Sequence, residues 1–479
     1  VSSVVVIWQR SGTGNTAIAL RSSVDGYAAN LDTEKAIVDN TASQTFTFTF
    51  TQANSTSAVT YRIYGYAEAT SGTGGPEGIG NDIIVNGTVT PAITGIESIA
   101  TGNWSNPATW TGGNVPDSNE SAIIKAGHTV TMDNATYATR DASTTTTVEL
   151  GGTLQTGMTY TNNGTTTVNG TFRINAGGFA TGNSFVYGAA STLIMNHANS
   201  TPYSINGSQA FWPVANPPFN VTVSANSPTR LDMTVGAVAG LLSISSELNI
   251  NLANALTVNG TLRINANGFI NTNGPIYGSA STLDYRSGGV YGRGFEWNAS
   301  GIGTIGVTPG YPNNVTIPTA GTVLDYINGA APGAVGVKAI AGNLTISNAT
   351  AALHMNYGGV SAGGELIVGG NVLVSNGTLT LGQSIGDDIK IGGNFTVTTP
   401  NGIFNGNNRR VYFTSTTALQ DITGTALTIP YLVYEPAALG IRLNGTGTNV
   451  TISAPLGGNA ITFNSATDFF NINNLNLTI

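Results

Sequence analysis

The sequence predicts an all-β protein, with an N-terminal β-sandwich followed by a right-handed parallel β-helix. Three observations carry this. Residues 166–193 and 256–283 read TTVNGTFRINAGGFATGNSFVYGAASTL and LTVNGTLRINANGFINTNGPIYGSASTL, aligned without a gap at an offset of 90, Val168 on Val258. Within both copies apolar and polar residues alternate between turn residues, the mark of stacked β repeats. Asn, Thr, Ser and Gly supply most of the polarity, and these favour strands and tight turns over helices.

Composition narrows the class further. Only 8% of the 479 residues are charged, against roughly 25% in an average soluble protein. No run of about 20 apolar residues exists, so no membrane-spanning helix is expected. The net charge is −8 and no basic run occurs, so no nucleic-acid footprint is expected. With no Cys, disulfides, thiolate metal sites and a cysteine nucleophile are excluded. The chain starts and stops inside strand-like runs, VSSVVVIW and NINNLNLTI, as a piece of a longer protein would.

Residues 1–90 form the first unit. Strands are expected at 4–8, 16–21, 44–51, 60–66 and 82–89, with a glycine-rich joint at 71–80. Phe46, Phe48 and Phe50 alternate with threonines, a period of two with one face buried. Several such strands make a β-sandwich. A linker at 91–95 leads to the second unit, residues 96–479.

There the pattern becomes short strand, turn, short strand. GNLTISN, GNVLVSNGTLTL and GNFTVTT place Asn343, Asn371 and Asn394 at steps of 28 and 23, each suited to one coil. Leu344 and Ile346 are expected to point inward and Thr345 outward. Asn and Gly at the corners are expected to take left-handed backbone. The 90-residue repeat then spans about four coils. About 16 coils at ~4.8 Å give a rod of roughly 75–80 Å. In GNWSNPATWTGGNVPDSNESAIIKAGHTVTMDN, residues 102–134, Trp104 and Trp110 are expected to cover the apolar end of the solenoid.

These segments carry a family resemblance. WQRSGTGNTAIALRSSVDGYAANL with VTYRIYGYAEATSGTGGPEGIGNDIIVNGTV resembles the jelly-roll-like sandwich modules of secreted Bacteroidetes-type surface proteins. In such modules strands usually precede the RSGTG segment, which implies truncation at the N-terminus. Residues 102–134 resemble the opening segment of secreted β-helix proteins of the same type, with Trp-Ser-x-Pro-x-Thr-Trp before a Gly-His-Thr-Val run. Residues 411–453 resemble the repeat of their long β-helices: Gln420, Ile422, Gly424, Leu432, Val450 and Ile452 occupy the matching places. The resemblance implies export to the cell surface, by type IX secretion, and no particular activity.

Few residues suit chemistry. His128, His197 and His354 are scattered without a second His at ligand spacing, so no zinc site is expected. Asp387 and Asp388 read as a solvated turn rather than a calcium site. Glu365 and Asp387, 22 apart, have the spacing of neighbouring coils, but one such pair among 24 acidic residues is a chance event. SGTGN at 11–15 and SGTGG at 71–75 precede no helix and are turns rather than phosphate loops. The N-x-Thr/Ser triplets, as at Asn169 and Asn259, follow from an Asn- and Thr-rich composition.

One cluster stands out. LDYRSGGVYGRGFEW, residues 283–297, gathers charges that the first repeat copy lacks, although that copy keeps a Phe-Trp pair at Phe211 and Trp212. Tyr285, Arg286, Tyr291, Arg293 and Trp297 are therefore the expected carbohydrate-binding residues, since rings stack on sugars and Arg bonds hydroxyls. A surface loop over an aromatic core explains the same residues. No catalytic residue, metal ligand or cofactor is assigned.

The sequence thus reads as a non-enzymatic, secreted cell-surface protein: an adhesin, stalk or fibre segment. Its expected partners are a surface polysaccharide or the secretion and assembly machinery. A polysaccharide lyase or glycoside hydrolase on a β-helix, and cargo held by a secretion complex, are the alternatives.

Overall fold

The computed structural model describes the chain except residues 52–58, 67–72, 77–81, 88–94, 208, 327–335, 360, 399 and 436–437. Most of the expected linker lies outside the described residues. The chain divides into two compact units, Val1–Ile93 and Thr94–Ile479. Among the described residues no helix is long and apolar enough to cross a membrane.

The first unit is sandwich-like and antiparallel. Ser3–Arg10 pairs with Gln44–Thr49 on one side and with Gly74–Pro76 and Ile83–Asn86 on the other. Ala17–Ser22 runs between Lys35–Ala36 and Tyr61–Tyr66 in a second sheet. Val4, Val6, Trp8 and Phe48 from the first sheet meet Ile18 and Leu20 from the second. Phe48 is buried while Thr47 and Thr49 are exposed, as the alternation requires. The glycine-rich joint differs from expectation. Its residues Gly74–Pro76 form a strand against Trp8–Arg10, because backbone pairing needs no side-chain pattern.

The second unit is a parallel β-solenoid of about 16 turns. Its longest sheet runs rung on rung from Gly102–Asn103 through Thr129–Met132 to Phe470–Asn471. Shorter parallel stacks, such as Lys338–Ile340 under Leu366–Val368 and Thr229–Leu231 under Glu247–Ile250, make the other sides. The interior is built from columns of like residues. Val130, Leu154, Phe172 and Leu193 stack in register, and the same column continues through Leu283, Leu344 and Phe395 to Leu443. These side chains are fully buried, and each contributes roughly 1.5–3 kcal/mol over exposure.

The sequence repeat appears as four rungs. Thr171–Asn175 and Thr261–Asn265 are joined through Thr192–Asn196, Asn220–Val223 and Leu241–Ile244. Leu344 stacks on Val372 and Val372 on Phe395, so the steps of 28 and 23 are each one coil. Trp104 and Trp110, on the first rung, are wholly buried and meet edge to face at 4.9 Å. Their indole N–H groups donate to Pro116 O and Trp104 O.

Corner Asn and Gly residues take the expected left-handed backbone at many places, Gly177 and its repeat equivalent Asn267 among them, but one pair of corner glycines is required for a different reason. Gly170 and Gly260, equivalent in the two repeat copies, are absent from the left-handed region. A Cβ on Gly170 would lie 2.2 Å from Glu149 O, and one on Gly260 would lie 2.0 Å from Gly240 O. The preceding coil's carbonyl therefore demands glycine at both places, whatever the φ.

Candidate functional site

The charged cluster begins on Thr282–Arg286, a strand of the long sheet that alternation turns inward at Leu283 and Tyr285. Asp284 faces outward and ties rungs together. It accepts Arg263 Nε at 3.0 Å, Arg286 Nε at 2.8 Å and Thr316 Oγ1 at 3.3 Å. Arg286 stands at the surface, with 41% of its side chain exposed.

Beyond this strand the chain breaks its period of two. Val290–Gly292 pairs with Val323–Asp325, and a 3-10 turn at Phe295–Trp297 carries Glu296 and Trp297 inward. Arg293 is buried as well: its Nε donates to Tyr326 O at 2.9 Å, its Nη1 donates to Trp297 O, and its guanidinium lies 5.3 Å from the Tyr326 ring centre. Trp297 meets Tyr326 edge-on at 5.9 Å and donates Nε1–H to Ala339 O.

Glu296 is the centre of the group. Its Oε1 accepts Gly294 N at 2.8 Å and the Tyr285 hydroxyl at 2.9 Å. Burial pushes its carboxyl pKa up, against the pull of these bonds. Tyr291, half-buried, packs 5.5 Å from the Tyr285 ring. Burial also holds the Tyr285 and Tyr291 hydroxyls well above their usual range.

The five expected sugar-binding residues thus separate. Tyr285, Arg293 and Trp297 have no exposed surface, Tyr291 shows an edge, and Arg286 alone stands outside. The first four gather around Glu296 and Tyr326 in a polar strut within the rod. What this region offers to solvent is Arg286 and part of Arg263, with the Asp284 carboxylate buried beneath them.

No family model matches the chain, and the comparisons with curated proteins and with solved structures gave no match.

The repeat copies share one further detail that the alignment marked by position. Tyr187 donates its hydroxyl to Phe211 O at 2.6 Å, and Tyr277, its equivalent, donates to Glu296 O at 2.8 Å. The Phe-Trp pair of the first copy is core, with Phe211 and Trp212 both fully buried.

The remaining candidates take structural places. His128 Nδ1 meets Ser98 Oγ at 2.9 Å, and His197 is buried against Tyr203. Asp387 and Asp388 are buried rather than solvated. The Asp387 carboxylate accepts the N–H groups of Ala362, Gly364 and Ser384 and the Ser361 hydroxyl, and so shapes two turns of adjacent coils. Glu365 pairs with Lys390 at 3.2 Å, and Lys390 also bonds Glu435 at 3.0 Å on a further coil.

A second arrangement escaped the sequence reading. Asn314 Oδ1 accepts the N–H of Asn343, Asn343 Oδ1 that of Asn371, Asn371 Oδ1 that of Asn394, and Asn394 Oδ1 that of Asp421. The Gly-Asn spacing was visible, whereas the axial reach of the side chain was not. Gln420 extends the theme: its amide donates to Ile391 O at 2.8 Å and accepts from Ser415 N at 2.8 Å. That explains the glutamine of the Gln-x-Ile-x-Gly turn.

Proposed function

We propose that this chain is the rod of a secreted, cell-surface protein that is not an enzyme, acting as an adhesin, stalk or fibre segment. The observation that carries this reading is the axial asparagine ladder from Asn314 to Asp421, in which side chains bond the next coil's backbone. Polar groups spent on holding coils together make a stiff element that resists local opening. Ion-pair ladders act in the same direction, as at Glu97, Lys125 and Glu149.

Export to a cell surface by a type IX route, in a Bacteroidetes-type protein, is supported by the likeness of residues 102–134 and 411–453 to such proteins. A polysaccharide or a component of the export machinery is then the partner, and adhesion works through many weak contacts along the rod.

Incubation of the full chain with a panel of acidic and neutral polysaccharides tests the reading. Unchanged chain length of every polymer is expected. Release of reducing ends or unsaturated uronates would overturn it in favour of a lyase or hydrolase.

A further inference from the structure

We propose that a groove in the later coils of the solenoid unit binds an acidic sugar through its carboxylate. The proposal deepens the adhesive reading and rests on it for its biological role. The groove has a volume of about 370 Å³, within the usual range of small-molecule sites, roughly 300–1,000 Å³.

Its chemistry is unusual for this chain. Asp387 and Asp388 are the only adjacent acidic pair in the sequence, and Arg409 and Arg410 the only adjacent basic pair. One coil of winding brings the two pairs together: Arg410 N–H donates to Asp388 Oδ1 at 2.8 Å. Asp387 is consumed by the turns it shapes. Asp388, Arg409 and Arg410 remain to line the groove.

Arg410 lies in register with Tyr431 on the next rung. Asp388, Arg410 and Tyr431 thus come from three consecutive coils, spaced at ~4.8 Å, which suits neighbouring groups on one sugar ring. The Tyr431 hydroxyl is fixed in place, donating to Gly457 O at 3.2 Å and accepting Leu456 N–H at 2.8 Å. At the rim stand Ile385, 92% exposed, and Leu456, 70% exposed, both part of the groove's lining. Apolar side chains flanking a polar floor match a sugar, whose ring C–H groups and hydroxyls need opposite partners.

The charge balance selects the ligand class. The lining presents two guanidinium groups and one carboxylate, while the neighbouring Asp387 carboxylate is turned to its own donors on Ser361, Ala362, Gly364 and Ser384. A guanidinium fork matches a carboxylate in two parallel bonds. Asp388 would repel a phosphate dianion but would accept hydroxyl hydrogens from a singly charged sugar.

Calorimetric titration of the full chain with galacturonate trimer, mannuronate trimer and sialyl-lactose, in low salt, decides the matter. Saturable binding of at least one of them is expected. Methyl esterification of the bound sugar and Arg410→Gln should each weaken it at least tenfold, and Tyr431→Ala should weaken it too. Circular dichroism of the variants controls for folding, and Arg410 is exposed enough to be replaced without loss of core. Absence of binding to all three sugars, equal binding of acid and ester, or undiminished binding by a folded Arg410→Gln protein would overturn the proposal. None of those results touches the rod reading, which the depolymerisation assay decides separately.

Discussion

The side-chain oxygen of Asn343 accepts the backbone N–H of Asn371 at 2.8 Å, and Asn371 does the same for Asn394 at 2.7 Å. The same residue is therefore acceptor to one coil and donor to another. Removing one link frees a single N–H near the surface, where water can replace the lost oxygen. Asn371→Ala should then cost about 0.5–1 kcal/mol. Asn371→Asp, which keeps an acceptor oxygen, should fall closer to the parent protein. Urea unfolding midpoints compare the two. Equal loss in both variants would mean that the bond to Asn394 contributes nothing.

Gly370, which precedes Asn371, is required by this ladder. A Cβ there would lie 2.6 Å from Asn343 Oδ1 and 2.8 Å from the Gly342 backbone carbon. Gly→Ala usually stabilises a chain through its unfolded state where the fold can accept it. Here the methyl group must push apart two coils, at a cost of roughly 1–3 kcal/mol. Gly289, which has open space around its Cβ position, is the control. Gly370→Ala should lower the melting temperature and Gly289→Ala should leave it nearly unchanged.

The solenoid was legible in the sequence because stacking makes each coil repeat its neighbour's demands. Leu344 and Ile346 could be placed inside by alternation alone, and both are fully buried. The charged cluster was legible as a group and not as a location. Alternation describes a strand, whereas the 3-10 turn at Phe295–Trp297 breaks that period and carries Glu296 inward. Arg293 finds its acceptor at Tyr326 O, 33 residues away, a pairing that no local pattern marks. Gly74–Pro76 escaped for the opposite reason, since a strand held by backbone bonds alone leaves no trace in side chains.

His197 gives the solenoid a dependence on acid. Burial depresses its pKa to about 4, against a weaker opposite pull from the Ser227 and Pro228 backbone. Its Nδ1 accepts Asn199 N–H at 3.3 Å, a bond only the neutral ring can make. Between about pH 6.5 and pH 4 the unfolded chain binds a proton at this residue and the folded chain does not. Stability therefore falls as the pH drops through that window and levels off below it, by about 3 kcal/mol in all. His197→Phe should remove this part of the slope. Unfolding midpoints of both proteins from pH 7 to pH 4 test it, and parallel curves would show that His197 stays unprotonated in both states or titrates equally.

Glu296 works in the opposite direction on the same axis. Burial raises its carboxyl pKa above the ordinary value, outweighing the bonds from Gly294 N–H and the Tyr285 hydroxyl. Above the ordinary carboxylate pKa the unfolded chain releases this proton while the folded chain retains it. The folded state is then favoured at low pH, and that advantage is lost as the pH rises through the folded pKa. Glu296→Gln keeps the shape and an acceptor oxygen but cannot ionise. It should match the parent protein near pH 5 and exceed it at higher pH, with the gap closing again on acidification. If the difference in unfolding free energy between the two proteins stays constant from pH 5 to pH 8, the carboxyl ionises in the core at no cost, and Arg293, whose charge also favours the carboxylate, is then a full partner to it rather than a strut for Tyr326 and Trp297.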